Sequence, residues 1–220
     1  MPLPGGVAAN SPWIDLTHSS PSCDANARFD YLPAPLSKNE YVDSLRPHCD
    51  VWPTSPPRRS TFVDDHLIDH PLVTLLLADS WKGAPPAYVC TGWELLADED
   101  KYMATKLRRD GVTVVFEEFQ AMPHCFAMIF PESKGARRCL EGWAGFIKKV
   151  VEGGEAEGEK GGLVSSFKSV KAKTLEEVDL EGSWEGVAPY TEGEIRGLIG
   201  ERMRRVREEG MGMGGLVAKL

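Results

Sequence analysis

Three short apolar runs in the first 120 residues have the hydrophobic pattern of buried β-strands. They span residues 7–13, 87–92 and 112–119, and each is bounded by glycine, proline or polar residues. The first two runs lack polar alternation, which is typical of strands covered on both faces of a parallel sheet. The pattern therefore predicts an α/β fold with three mainly parallel strands and flanking helices.

A helix is predicted between the second and third runs. Asp98, Glu99 and Asp100 stand at its start, basic residues fill its last turn, and Gly111 follows. Acidic residues at the start and basic residues at the end complement the helix dipole, and glycine is a common helix stop. Strand, helix and strand in this order predict a βαβ unit with a right-handed crossover.

A second amphipathic helix follows the third strand. Apolar residues recur at helical spacing over residues 139–151, and the glycines at 153–154 are expected to end the helix. Residues 152–162, EGGEAEGEKGG, have the acidic, glycine-rich composition of a flexible linker. We therefore place the compact domain at residues 1–151.

Residues 163–220 are predicted to be a tail with one amphipathic helix. Thr191 and Glu194 match the capping-box pattern T-x-x-E at its start. The basic run at 168–173 is interpreted as a solvated face. The apolar residues expected on one side of the tail helix are Ile195, Leu198, Ile199, Met203 and Val206.

A long polar segment separates the first strand from the second. Residues 19–57 are rich in proline, serine and aspartate, with a weak helical signal near residues 38–45. The segment is longer than an ordinary connection in a compact domain. It is predicted to be a functional flap or a partly ordered excursion.

Composition excludes several classes of function. The formal net charge of −8 disfavours a nucleic-acid partner, since phosphate binding needs clustered basic residues. No apolar stretch is long enough for a transmembrane helix. Five cysteines without motif spacing predict free thiols in a reducing compartment. With no secretory signal pattern at the N-terminus, these features predict a cytoplasmic protein.

One acid and one histidine follow neighbouring predicted strands. Glu94 comes directly after the second strand and His124 shortly after the third. The carboxyl ends of parallel strands open on the same crevice, so both side chains should face it. Acid and then histidine is also the second half of the Ser–acid–His order found in α/β-hydrolases. A histidine alone at such a position is more often structural than catalytic, and it is the acid that changes this interpretation.

These residues belong to a series of blocks that resembles a known family. In order and spacing, the blocks are similar to the C-terminal half of the hormone-sensitive-lipase-like α/β-hydrolases, particularly the fungal members. The resemblance covers residues 1–151. Its blocks are SPWIDLT at 11–17, HPLV at 70–73, APPAY at 84–88, ELLADE at 94–99 and HCF at 124–126.

The resemblance implies a carboxylic-ester hydrolase that acts on small-molecule acyl esters without metal or organic cofactor. Glu94 would be the triad acid and His124 the general base. Asp98 is a rival for the acid, although a helix cap explains it better. Two residues depart from the family pattern: Glu94 replaces the more common aspartate, and Cys125 replaces glycine after the histidine. If that position needs a positive φ, cysteine is strained there.

The serine half of the triad has no counterpart in the sequence. Neither G-x-S-x-G nor an H-G-G-G-type oxyanion segment occurs. Ser19, Ser20 and Ser22 lie in a polar loop without a glycine elbow, so they are poor substitutes. The sequence is therefore interpreted as truncated upstream of the nucleophile and inactive alone. The alternative is a non-catalytic binding or regulatory module that pairs with a partner at the exposed edge of the first strand.

Other motifs have simpler explanations. Gly210, Gly212 and Gly215 satisfy G-x-G-x-x-G but follow no strand, so we expect a frayed tail. His66, Asp69 and His70 have the spacing of a metal face, but Pro71 interrupts any helix and no metal is predicted. Asp15 and the tryptophans are interpreted as structural.

Overall fold

A mostly parallel, five-stranded sheet forms the centre of the protein. The computed structural model describes residues 2–32, 50–51, 60, 62–152 and 162–217, with side chains up to residue 208. The strands follow chain order across the sheet, the first four are parallel, and the fifth is antiparallel to the fourth. They are β1 Val7–Asn10, β2 Ala87–Gly92, β3 Val114–Gln120, β4 Ser166–Lys171 and β5 Glu177–Asp179. The predicted α/β class is confirmed.

Helices cover both faces of the sheet. The α-helices are α1 Ser22–Ala25, α2 Ala97–Arg109, α3 Phe126–Ile129, α4 Lys134–Glu152 and α5 Glu192–Val217. Short 3₁₀ helices span Ala27–Phe29, Asp65–Leu67, Leu75–Leu77 and Glu181–Gly186. No helix in the described ranges is long and apolar enough to cross a membrane.

Strand β2 is buried along its whole length, as the run of apolar residues predicted. Successive side chains point to opposite faces of a strand. Tyr88 and Cys90 therefore join the cluster beneath α4, which includes Phe146, whereas Ala87 and Val89 join the cluster beneath α2. Two separate apolar layers thus fix the strand that leads into the predicted acid.

Strand β1 is shorter than predicted. It ends at Asn10 because Ser11 has φ 49°, which takes the backbone out of the extended region. Pro12 follows and has no N–H to donate to a ladder. The SPWIDLT block at 11–17 consequently leaves the sheet and passes over the carboxyl ends of the neighbouring strands.

The prediction of three strands is wrong, since β4 and β5 continue the sheet beyond β3. Strand β4 contributes Phe167 to the apolar cluster on one face and Val170 to the cluster on the other. Its alternation was masked by Lys168 and Lys171, which were interpreted as a solvated face but form ion pairs along the sheet edge. Strands β4 and β5, which follow the predicted linker, therefore lie in the same sheet as β1, β2 and β3.

Helix α5 begins at the predicted capping box. The Glu194 carboxylate accepts hydrogen bonds from the Thr191 N–H at 2.7 Å and hydroxyl at 2.8 Å, and the Glu194 N–H donates to the Thr191 hydroxyl at 3.3 Å. Ile195, Ile199 and Met203 are buried in a cluster with residues of α2 and the loop before β2. The backbone stays helical through the glycines predicted to fray.

Replacing Ile199 by alanine tests whether this helix is part of the folded core. The side chain is 1% exposed, so its truncation should lower the free energy of unfolding by roughly 3 kcal/mol in a urea titration. Leu198→Ala is the matched control, because its partly buried side chain should cost less. Equal effects of the two variants would show that α5 is not docked as described.

Three sequence predictions lie outside the described residues. They are the helical signal at 38–45, the helix stop at 153–154 and the linker, of which all but the ends is undescribed. Helix α4 itself ends at Glu152.

Candidate active site

The predicted acid and histidine meet at the carboxyl end of the sheet. Strand β2 ends at Gly92, two residues before Glu94, and β3 ends four residues before His124. The strands are adjacent and parallel, with Gly92 opposite Phe119. Glu94 Oε2 lies 2.6 Å from His124 Nδ1, and the Glu94 side chain is fully buried. The topology thus brings together two residues that are 30 positions apart.

Three donors hold the other oxygen of the Glu94 carboxylate. Oε1 accepts hydrogen bonds from the Ser11 hydroxyl at 2.5 Å, the Thr91 hydroxyl at 3.1 Å and the Gly92 N–H at 3.2 Å. Buried carboxylates need such donors to offset the loss of solvent. They also fix the carboxyl plane, so that Oε2 stays directed at His124.

The two nitrogens of the His124 imidazole differ in their contacts with the described residues. Because the Glu94 carboxylate only accepts, Nδ1 carries the proton and Nε2 keeps its lone pair in the neutral ring. Among the described residues no group bonds Nε2, and the side chain is 17% exposed. The Tyr31 ring lies edge-on at 6.3 Å between ring centroids. Nε2 is therefore the atom that can exchange a proton with a bound molecule.

The surroundings of His124 act on its pKa in opposite directions. Burial lowers the pKa, whereas the hydrogen bond and the negative charge of Glu94 raise it, with a further contribution from Asp30. The net effect is a pKa raised above the ordinary 6.5. A carboxylate that stabilises the imidazolium is what a histidine general base requires.

Two further acids lie buried near this pair. Burial raises the pKa of Asp100, and the negative charges of Glu94 and Glu99 add to the effect. Burial likewise raises the pKa of Glu99, whose Oε1 nevertheless accepts the N–H groups of Ile14 and Asp15. The Glu99 contacts anchor the SPWIDLT block against the start of α2.

Cys125 has the positive φ anticipated for a position where the family has glycine. Its φ is 50°, and its N–H donates to the Ser11 hydroxyl at 3.1 Å. Ser11 thus connects the acid to the histidine loop. Left-handed backbone costs an L-residue about 1–2 kcal/mol.

Replacing Cys125 by glycine should therefore stabilise the chain. Relief of backbone strain exceeds the added flexibility of the unfolded chain, so we expect a gain of about 1 kcal/mol in the free energy of unfolding. Cys125→Ala is the control, since it removes the thiol but keeps the Cβ. If alanine stabilises as much as glycine, the thiol rather than the backbone is responsible.

Gly92 allows the two functional loops to approach each other. A Cβ at this position would lie 2.0 Å from the Met122 carbonyl oxygen and 2.7 Å from its carbonyl carbon. The last residue of β2 must therefore lack a side chain. No sequence signal beyond a glycine at a strand end indicated this requirement.

Sequence reasoning missed the residues that hold the pair from the segment after β1. Asp30 accepts the N–H of Leu95 at 3.0 Å and the N–H of His124 at 3.3 Å. Asn26 Nδ2 donates to the Glu94 carbonyl oxygen at 2.9 Å. The only available signal was the unusual length of the segment, and it did not single out a residue.

The rival acid and two of the loop serines, Ser19 and Ser22, have other partners. Asp98 accepts the N–H of Ser22 and the Tyr190 hydroxyl, so it contacts the start of α1 and not His124. The N-cap residue of α2 is Leu96 and not Asp98, which corrects the helix-cap interpretation of Asp98. Ser22 donates to the Leu95 carbonyl oxygen and Ser19 to Asp15.

No cluster suited to a metal ion occurs among the described residues. Of the three residues with metal-like spacing, Asp69 forms an ion pair with Arg207 at 2.8 Å. His70 Nδ1 accepts the Leu72 N–H at 3.2 Å. Asp15 is structural, as predicted, because its carboxylate accepts the N–H and hydroxyl groups of Thr17 and Ser19.

A parallel sheet with an acid and a histidine at its carboxyl end is the arrangement of an α/β-hydrolase. The sequence profile of a family described as alpha/beta hydrolase fold matches residues 4–128. This chain therefore belongs to the α/β-hydrolase family. No curated protein matches the sequence.

Solved esterase structures resemble the chain. One is an esterase from the bacterial hormone-sensitive lipase family, 25% identical, with a TM-score of 0.52 over 68% of this chain and 45% of that one. Another is a hormone-sensitive-lipase homologue, EstE7, from a metagenome library, 24% identical, with a TM-score of 0.52 over 69% of this chain and 46% of that one. The chain thus spans less than half the length of these two proteins.

Proposed function

We propose that this chain supplies the acid and the histidine of a Ser–His–acid triad in a carboxylic-ester hydrolase. The hydrogen bond of 2.6 Å between buried Glu94 and His124, at the carboxyl ends of adjacent parallel strands, supports the proposal. The family and the esterase neighbours agree with this chemistry. Within the family, we propose that the chain is of the fungal type, on the resemblance of its sequence blocks as a series.

Each residue of the pair has a distinct role. His124 Nε2 removes the proton from the nucleophile hydroxyl while that oxygen attacks the ester carbonyl carbon. The same proton is then given to the leaving alcohol as the tetrahedral intermediate collapses. Glu94 keeps the proton on Nδ1 and stabilises the imidazolium formed in between. In the second half of the reaction, His124 Nε2 takes a proton from a water molecule, whose oxygen attacks the acyl carbon. The bond to the nucleophile oxygen then breaks, this oxygen takes the proton from Nε2, and the carboxylic acid is released.

The nucleophile is not provided by the described serines. Ser11 contacts the acid–histidine pair, but its hydroxyl is already engaged, because it donates to Glu94 and accepts from the Cys125 N–H. None of the 220 residues forms a G-x-S-x-G motif. We therefore propose that these residues alone do not hydrolyse esters at a triad rate, and that the serine and oxyanion donors come from polypeptide outside this sequence.

Substrates are proposed to be small acyl esters. An exposed aromatic side chain lies beside the imidazole of His124: the Tyr31 ring is 6.3 Å away between centroids and 52% exposed. Asp30 and Glu94 give this end of the sheet negative charge, which suits an uncharged ester better than an anionic one.

Labelling with a fluorophosphonate tests the proposal on the protein isolated from its own cells. The probe should modify one serine outside the 220 residues, and His124→Asn should reduce the labelling rate by about 10³-fold or more. His70→Asn is the control and should label normally, because His70 is exposed and its imidazole bonds the Leu72 N–H, not Glu94.

Two results would overturn the proposal. An unlabelled native protein would favour the non-catalytic module, and labelling that survives His124→Asn would remove the histidine from the mechanism. The inactivity of the isolated chain is tested separately with a p-nitrophenyl ester. A burst of nitrophenol from the 220 residues would contradict it.

A further inference from the structure

One carboxylate contacts the backbone on both sides of the acid–histidine pair. Asp30 lies directly after the 3₁₀ helix Ala27–Phe29 in the segment after β1. Its Oδ2 accepts the N–H of Leu95 at 3.0 Å, the residue after the acid. Its Oδ1 accepts the N–H of His124 at 3.3 Å. The acid loop and the histidine loop are therefore joined through a third side chain.

A local turn explains only part of this geometry. Asp30 Oδ1 also accepts the N–H groups of Tyr31 and Leu32, at 2.8 and 3.3 Å, as aspartate does in an ordinary turn. Leu95 and His124 are 65 and 94 positions from Asp30 in the sequence, so hydrogen bonds to them are not part of the local turn. A second residue of the segment, Asn26, bonds the carbonyl oxygen of Glu94. The backbone of the acid is thus held at its carbonyl and at the following N–H.

Few other groups could carry out this positioning. His124 Nδ1 bonds Glu94, and the imidazole ring lies beside the Tyr31 ring. The His124 N–H donates to Asp30, and Cys125 is the next residue in the chain. Ser11 also joins the two loops, through the Glu94 carboxylate itself and the Cys125 N–H. Asp30 differs because it bonds a backbone N–H of each loop and leaves the Glu94 carboxylate untouched. Its negative charge also lies close enough to favour the protonated imidazole.

We propose that Asp30 is a positioning residue, which holds the Glu94 and His124 loops at the separation that the acid–imidazole hydrogen bond requires. The inference rests on the proposed function and assigns a role within it to Asp30, in the described part of the segment after β1. Asp30 does not touch the reacting atoms. A rigid spacing of this kind matters because small displacements of catalytic groups reduce rates strongly.

Nuclear magnetic resonance on the 220-residue chain tests the inference without any hydrolysis assay. With Asp30→Ala, amide exchange at Leu95 and His124 should accelerate about tenfold or more, and the pKa of His124 should fall. Asp30→Asn should be intermediate, because the amide oxygen can accept at one loop while its NH₂ group cannot accept at the other. Asp24→Asn, an exposed aspartate on α1, is the matched control and should behave as wild type.

The outcomes separate this inference from the proposed function. Wild-type exchange at Leu95 and His124 in Asp30→Ala would overturn the positioning role, whatever the labelling experiment shows. Uniform acceleration at all amides, with the same loss of protection in β2 and β3, would assign Asp30 to global stability and would also overturn it. If Asp30→Ala fails to fold, Asp30→Asn decides by the same two amides.

Discussion

Replacing Gly92 by alanine should unfold the protein or come close to it. The added Cβ would lie 2.0 Å from the Met122 carbonyl oxygen, a distance that requires movement of backbone and not of a flexible side chain. The loops carrying Glu94 and His124 would have to separate. We expect a loss of about 4 kcal/mol or more in the free energy of unfolding, measured by urea titration, which is comparable with the whole stability of a small domain.

A second glycine provides the matched control. Gly145 lies in α4 with no atom within 4 Å of an added Cβ, so Gly145→Ala should stabilise the chain by about 0.5–1 kcal/mol. The same chemical change would then have opposite signs at the two positions. A Gly92→Ala variant with wild-type stability would show that the described approach of the two loops is wrong.

Glu94→Gln should abolish the function of His124 while leaving the shape of the site nearly unchanged. The amide oxygen can still accept from Ser11, Thr91 and Gly92, but the charge that favours the imidazolium is gone. The pKa of His124, followed by resonance titration, should fall by about one unit or more. In the labelling assay on the native protein, the reaction should slow about 10⁴-fold, because an amide can hold the wrong tautomer.

The pH dependence of stability should change with it. Since the pKa of His124 is raised above 6.5 in the folded chain, its pairing stabilises the fold fully below about pH 6.5. That contribution is lost as the pH rises through the folded pKa. In Glu94→Gln the loss should disappear from this window, as measured by urea titrations at pH 6 and pH 8.

Glu132→Gln is the control for both measurements. Its side chain is 88% exposed and pairs with Arg137 at the surface, so the pKa of His124 should not move. His124→Asn identifies the resonance among the five histidines. An unchanged pKa in Glu94→Gln would mean that the acid does not govern the imidazole.

The meeting of Glu94 and His124 could be predicted because topology alone determines it. Both residues follow strands whose apolar runs are plain, and adjacent parallel strands must end at one edge of the sheet. The strain at Cys125 was also accessible, since it depended on a single position with a known backbone requirement. Periodicity and strand order carried these predictions.

Contacts made by irregular segments could not be predicted in this way. Asp30 reaches Leu95 and His124 through a turn whose path depends on the whole fold. The Ser11 hydroxyl reaches Glu94 only because β1 stops one residue earlier. Strand β4 was missed because its apolar positions are few and its lysines resemble those of a surface loop. Whether a short segment forms a strand depends more on packing against neighbouring strands than on its own residues.

The ion pairs on the last strand, β5, affect how the sheet could pair with further chains. All three residues of β5 are exposed, and Glu177 binds Arg138 and Lys168 across the rim of the sheet. A short, charged outer strand is a poor template for fibril growth. Strand β1 at the opposite rim contains no charged residue, and its Val7 is 47% exposed. Lateral growth by further chains should therefore begin at Val7, and a lysine there would be the simplest change to improve solubility.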